Sequence, residues 1–220
     1  MPVPSDHHAA ADAVIAAITA MAADGLPLMQ RVLPQREAVI WQHYPDNDAR
    51  DARTRSRWYY HVHPPGERDP GEHGHFHLFL HRTQLDDPAA FLAAPPAGEA
   101  AAAHVAHIAG LSISPAGIPV SWFVTNRWVT DEFLYPADVM RAHLDRYDVN
   151  ETGQDPLVDK LLTAMVALYR DELAALLDRR DAALAALVGT GGVGAYEAGH
   201  DVLASIPIDL DEKIASLGLA

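Results

Sequence analysis

The 220-residue chain contains no cysteine. A disulfide framework, a thiolate metal site and a cysteine nucleophile are therefore excluded. Lysine is nearly as scarce: Lys160 and Lys213 stand alone, so positive charge is carried almost wholly by arginine. Positive charge is itself in short supply, with 16 Lys+Arg against 30 Asp+Glu and a formal net charge of -14. A field of that sign repels phosphate backbones and anionic lipid, which argues against nucleic-acid and membrane partners. Long apolar runs are missing too, since no segment reaches the ~18 uninterrupted apolar residues of a spanning helix. The apolar stretch from Ala9 to Ala23 is broken by Asp12 and follows no basic region, so it reads as an amphipathic helix, and a cytoplasmic protein is expected.

What the sequence does have is histidine, 13 in all and nine of them between His43 and His107. Three zones surround and include that concentration within a single domain over 1–220. Residues 6–36 are Ala-rich with Val14, Ile15, Ile18 and Met21 at helical spacing, followed by a short helix over Met29–Leu33 that Pro34 stops. Residues 37–130 hold most of the aromatic and β-branched side chains. Strands are expected at Ala38–Tyr44, Arg57–His63, His73–His81, Ala103–Ile113 and Pro119–Val129, with a short capped helix from Asp87 to Leu92. Residues 136–220 return to helix: one from Pro136 to about Tyr147, and one from the Asp155-Pro156 start signal to Val188, ended by Gly189. Hairpin connections between strand runs, flanked by helices, predict an α+β fold with an antiparallel sheet of about four to five strands. The apolar stripe from Leu157 to Leu177 exceeds what one small sheet is expected to cover, which predicts a homodimer.

The chemistry concentrates in Trp58-Tyr-Tyr-His-Val-His63 and Glu72-His-Gly-His-Phe-His-Leu-Phe79. Side chains alternate across a strand, which puts Tyr59, His61 and His63 on one face and His73, His75, His77 and Phe79 on one face of the next strand. One hairpin register sets His61 opposite His75 and His63 opposite His73, close enough to share an ion. Tyr60, Val62, Phe76, Leu78 and Leu80 would form the apolar face. Five imidazoles on one sheet face are hard to satisfy by packing alone, whereas a divalent metal accepts lone pairs from neutral rings. His61, His63, His73, His75 and His77 are therefore the candidate ligands. His107 is a sixth, expected to share a face with Ala109, Leu111 and Ile113. Glu67, Glu72 and Tyr59 are the candidate acid–base groups.

His61-Val-His63, Glu67 and Gly74 resemble the first cupin motif, in which two His and a Glu ligate a metal. The match covers about fourteen residues and departs at Arg55, where that motif has Gly, and at Pro64-Pro65 and Pro70-Gly71, which make the Glu67 region a loop. Gly110, Pro115 and Gly117 echo the second cupin motif, but Val120 stands at its His position. More broadly, WYYHVH, EHGHFHLF and TNRWVTDE are similar to motifs of an uncharacterised bacterial family, over most of this length. That resemblance implies a grouping and no activity.

Arg127, with Asn126 beside it, could hold a substrate carboxylate, although pairing with Asp131 or Glu132 is the plainer reading. Arg57 closes an Arg run at the mouth of the His strand and is a second anion-binding candidate. Gly189-Thr-Gly-Gly-Val-Gly194 matches GxGxxG but follows a helix where the dinucleotide fingerprint needs a strand, so NAD is rejected. Two classes remain. One is a metal-dependent enzyme using Fe, Zn, Mn, Ni or Cu, with oxygenase- or isomerase-type chemistry on a small organic acid, or zinc-dependent hydrolysis. The other is a non-catalytic metal- or haem-binding carrier, sensor or store. Histidines gathered in one place favour the enzyme.

Overall fold

Asp6 accepts the backbone N–H of Ala9 and starts α1 (His7–Ala23), which buries Ala10, Val14, Ala17 and Met21. A computed structural model describes residues 6–33, 37–197 and 199–218. It places α2 at Leu28–Val32, close to the expected short helix, while Pro34 lies outside the described residues. Six strands then form one sheet: β1 (Tyr44–Arg50), β2 (Arg57–His61), β3 (Gly74–His81), β4 (Val105–Ile113), β5 (Pro119–Thr125) and β6 (Val202–Pro207). Each pairs antiparallel with the next, in the order β1-β2-β3-β4-β5-β6. Between β5 and β6 run α3 (Arg127–Thr130), α4 (Ala137–Arg141), α5 (Pro156–Leu168) and α6 (Arg170–Gly191), and α7 (Leu210–Ser216) follows β6. The fold is α+β, as the sequence pattern predicts, with one strand more than expected.

The differences have local causes. Ala38–Tyr44 is not a strand: Trp41 has a left-handed backbone (φ 65), Val39, Ile40 and Trp41 are exposed, and pairing begins at Tyr44. Asp87–Leu92 is a turn in which Asp87 accepts the Ala89 N–H, not a helix. The fifth strand stops at Thr125 because Asn126 accepts the Arg127 N–H and caps α3. The helix expected up to Tyr147 ends at Arg141 and gives way to a 3₁₀ turn at Leu144–Arg146. The long helix breaks at Tyr169 (φ -101, ψ 21) and resumes as α6, which ends where Gly192 takes φ 63. The C-terminal zone is not all helix, because Val202–Pro207 joins the sheet edge through Ala204 and Ile206, set against Val124 and Trp122.

The sheet has two unlike faces. One carries Tyr60, Val62, Phe76, Leu78, Leu80, Leu111, Ile113, Trp122 and Val124 into a single core with α1, α5 and α6. Leu161, Leu162, Met165, Leu168, Leu173, Leu176 and Leu177 are buried in that core, each contributing about 1.5–3 kcal/mol. The stripe that suggested a dimer interface is thus covered within one chain. The other face carries Tyr59, His61, His75, His77, Phe79, His107, Ser112, Phe123 and Thr125, all buried. The β3–β4 register shifts between Leu78 and Phe79, leaving Ile108 as the extra residue between His107 and Ala109. This bulge places His107 with the imidazoles and Ala109, Leu111 and Ile113 in the core, so His107 does not share their face as the alternation predicts.

Candidate metal centre

In the β2–β3 hairpin His61 stands opposite His75, the expected register, and Tyr59 opposite His77. His63 and His73 lie outside the paired residues. The Nε2 atoms of His61 and His75 are 2.6 Å apart. One ring nitrogen from each of His61, His75 and His77 lies within 4.8 Å of the others, and all three residues are buried, so the trio could hold a metal ion. Tetrahedral imidazole ligands at about 2.0–2.1 Å from a metal sit about 3.3 Å apart, so the His61–His75 contact needs to open by less than about 1 Å.

The surroundings favour the neutral rings a metal requires. Burial, reinforced by neighbouring imidazoles, lowers His61 to about 2 and His77 well below the ordinary histidine value. Burial lowers His75 to about 4 even though Glu72 acts in the opposite sense. Burial alone would raise Glu72, but its bonds to His75 and Ser112 and the charge of Arg68 hold it at about 2. Glu72 is therefore an ionised acceptor for His75 Nδ1–H at 2.7 Å, which leaves His75 Nε2 as a lone pair facing the trio. His77 is held likewise: its Nδ1 lies 2.9 Å from His107 Nε2, and His107 Nδ1 lies 3.2 Å from the Thr125 hydroxyl. Burial lowers His107 to about 3.

The remaining candidates spread around this centre. The His63 ring lies about 5 Å from those of His61 and His75, yet its Nδ1 contacts Glu67 at 3.3 Å, so the spacing that resembles the cupin motif falls partly outside the trio. His73 leaves the imidazole face and bonds the Tyr60 hydroxyl at 2.6 Å, a position strand alternation does not predict because β3 begins only at Gly74. Tyr59 lies within 5.5 Å of His61 and 5.0 Å of His77, ring to ring, and burial raises its phenol above the ordinary range. Trp41 packs edge-on against His63 at 4.2 Å, and His43 stacks on Tyr59 at 3.7 Å.

The arginines are committed elsewhere. Arg127 is buried and bonds Asp131 (3.3 Å) and Glu197 (2.5 Å), which is the ion-pair alternative with Glu197 in place of Glu132. Asn126 caps α3 and donates to the Ala195 carbonyl. Arg57 bonds Asp48 at 3.2 Å, and Asp48 also accepts from His43 Nδ1 at 2.9 Å. Glu132 accepts the His107 backbone N–H at 2.5 Å, and burial raises its carboxyl to about 7.

Sequence alternation misses His43, Asp48, Trp41 and Glu132, because each reaches the centre through a left-handed residue, a turn or a bulge. Trp41 and Asp48 themselves take positive φ (65 and 50), a strain that clusters at functional sites. Among the described residues no helix is long and apolar enough to cross a membrane. No curated protein and no solved structure matches the chain. A family model does match, over residues 8–208 and so over both faces of the sheet, and the chain belongs to that family, the Domain of unknown function (DUF6969).

Proposed function

We propose that the protein is a metal-dependent enzyme acting on a small organic acid, with one divalent ion held by His61, His75 and His77. The observation that carries this reading is the buried trio whose second nitrogens are already held, His75 by Glu72 and His77 by His107. Such outer-shell bonds mark the rings as oriented metal ligands, and a set of three protein ligands, one short of a closed tetrahedral site, favours catalysis over storage. Three protein ligands leave coordination positions for substrate and a small co-reactant. Bound there, the ion supplies Lewis-acid or redox chemistry, and imidazole ligation suits Fe, Mn, Ni, Cu or Zn alike. Tyr59, Phe79 and Phe123 wall the centre with apolar surface, which favours oxygenase- or isomerase-type reactions over those needing bulk water.

The chain's own residues divide the proton work. Glu72 is occupied in orienting His75. Tyr59 stays a neutral phenol, because burial raises it, and serves as a hydrogen-bonding group and not as a phenolate base. His43 has Asp48 on Nδ1, which fixes the tautomer and leaves Nε2 as an acceptor beside His61, ring centroids 5.8 Å apart. Arg57 steadies Asp48 from the far side. Elemental analysis of purified protein, with an optical spectrum taken anaerobically and in air, tests the reading. About one transition metal per chain is expected; a chain that binds none of the five ions at micromolar concentration overturns it.

A further inference from the structure

We infer that Arg68 is the carboxylate anchor of a substrate pocket opening beside the histidine trio, the role that the sequence alone suggests for Arg127; this deepens the metal-enzyme reading and rests on it for the reaction that follows binding. The pocket has a volume of about 640 Å³ and is lined by Arg68, Glu72, Ser112, Ser121, Phe123 and Ser205 among others. Such a volume suits a small molecule. Phe123 joins pocket to centre, because its ring stands 4.9 Å from that of His75 and 5.7 Å from that of His77.

Arg68 is built for recognition in a way that Arg127 is not. Its guanidinium lies over the Phe123 ring, 4.4 Å from the centroid, which fixes its plane by a cation–π contact. Its side chain is only 16% exposed, and its one hydrogen bond among the described residues runs from Nε to Glu72 at a long 3.4 Å. The two terminal nitrogens have no such partner, whereas both of those of Arg127 are spent on Asp131 and Glu197. A planar guanidinium with both ends open matches a carboxylate bidentately. Serine hydroxyls from two adjacent strands supply neutral donors, Ser121 opposite Ser112 and Ser205 opposite Phe123, while the Ser112 hydroxyl is spent on Glu72.

Charge narrows the class of acid. The inner wall sets Arg68 against the single buried carboxylate of Glu72, and a divalent ion on the trio, behind the Phe123 ring, would add positive field, so the wall attracts an anion. The mouth carries exposed Glu67, Asp69 and Asp201, which repel a second negative charge. The fit is to a monocarboxylate whose far end is neutral or cationic, not to a di- or tricarboxylate.

Propionate, its uncharged analogue propionamide, and succinate are the probes, titrated by calorimetry and ligand-observed NMR into metal-free and Zn²⁺-loaded protein. The parent is expected to bind propionate over both others. Arg68→Gln should weaken propionate about ten- to a hundredfold, the equivalent of losing a charge-assisted pair, with Zn²⁺ affinity within about threefold of the parent. Arg68→Lys, which keeps the charge, should recover only part of the loss. Equal propionate affinity in parent and Arg68→Gln, or no propionate binding to either form of the parent, overturns the assignment. Failure of Zn²⁺ and of the other four ions to bind the parent overturns the metal reading instead, and the metal-free titrations still decide the role of Arg68.

Discussion

Glu72 Oε1 lies 2.7 Å from His75 Nδ1, a carboxylate–imidazole pair in which both side chains are almost fully buried. Their chain separation is only three residues, and the turn before β3 makes that bond possible. The pair decides which nitrogen of His75 faces His61 and His77. A carboxylate is needed for this, because an amide in its place could present either a donor or an acceptor.

Glu72→Gln should therefore keep the fold and lower metal affinity about 10- to 100-fold, the usual cost of losing an outer-shell partner. Competition with a chromophoric chelator measures it. An unchanged affinity would mean that His75 needs no orienting carboxylate. Ser112→Ala, which removes the weaker partner of Glu72, should act in the same direction by less.

Acidification should unfold the metal-free protein unusually early. His61, His75, His77 and His107 titrate far below 6.5 when folded, so below pH 6.5 the unfolded chain binds four protons that the folded chain refuses. That stability is present above pH 6.5 and is lost as pH falls towards the folded values. Two buried carboxyls act in the opposite sense: Glu132, raised to about 7, and Asp159, raised to about 6, hold protons in the folded state that the unfolded chain releases. His81, lowered to about 4 but only half-buried, adds a smaller share in the first sense, so the net uptake on unfolding near pH 5.5 is about two to three protons, a loss on the order of 3–4 kcal/mol per pH unit. Urea midpoints between pH 7.5 and 5 should fall steeply, and saturating Zn²⁺ should raise those at the upper end of the range. Midpoints independent of pH would show that the imidazoles are accessible to protons in the folded chain.

How much of this the sequence discloses depends on what each feature is made of. The imidazole face and the His61–His75 register are legible because a hairpin's alternation needs only local spacing. His73 is not, since alternation stops where pairing stops, and Gly74 is the first paired residue. His107 is assigned to the right side for a reason that fails, because the bulge at Ile108 reverses the alternation on which the reason depends. β6 escapes notice because a six-residue edge strand ending in Pro207, after a long helix, carries a weak pattern and acquires its meaning only by pairing with β5. The break at Tyr169 has no Pro or Gly to announce it. Arg68 sits in a Pro- and Gly-rich turn, and its approach to Phe123 is a tertiary contact that no spacing encodes.

Gly110 tests how tightly the site is packed. It faces Phe123 across β4 and β5, and a Cβ built there would collide with the Phe123 ring. Gly110→Ala should cost about 1–3 kcal/mol or more, because a ring wedged beside His75, His77 and Arg68 has little room to shift. Thermal unfolding gives the magnitude. Phe123→Leu in the same background should recover part of the loss, and no recovery would place the strain elsewhere.

Five histidines look equivalent in sequence, and the structure ranks them. His61, His75 and His77 bring their nitrogens within 4.8 Å of one another, His63 stands at the rim on Glu67, and His73 is turned to Tyr60. Single changes to Ala at His61, His75 or His77 should each cut metal occupancy sharply, because removing one of three protein ligands leaves an open two-ligand site. His63→Ala should weaken binding by less, through the lost ring contact with His61 and His75 and not through a lost ligand. His73→Ala should leave occupancy close to the parent's, its cost appearing as stability: the Tyr60 hydroxyl loses its bond in a largely buried setting, about 1–3 kcal/mol. Occupancy is measured by elemental analysis after dialysis against a fixed Zn²⁺ concentration, and stability by urea titration of the metal-free proteins. If His73→Ala loses metal as completely as His75→Ala, the trio is not the ligand set, and the ion sits nearer the turn at Glu72 than the register of the hairpin implies.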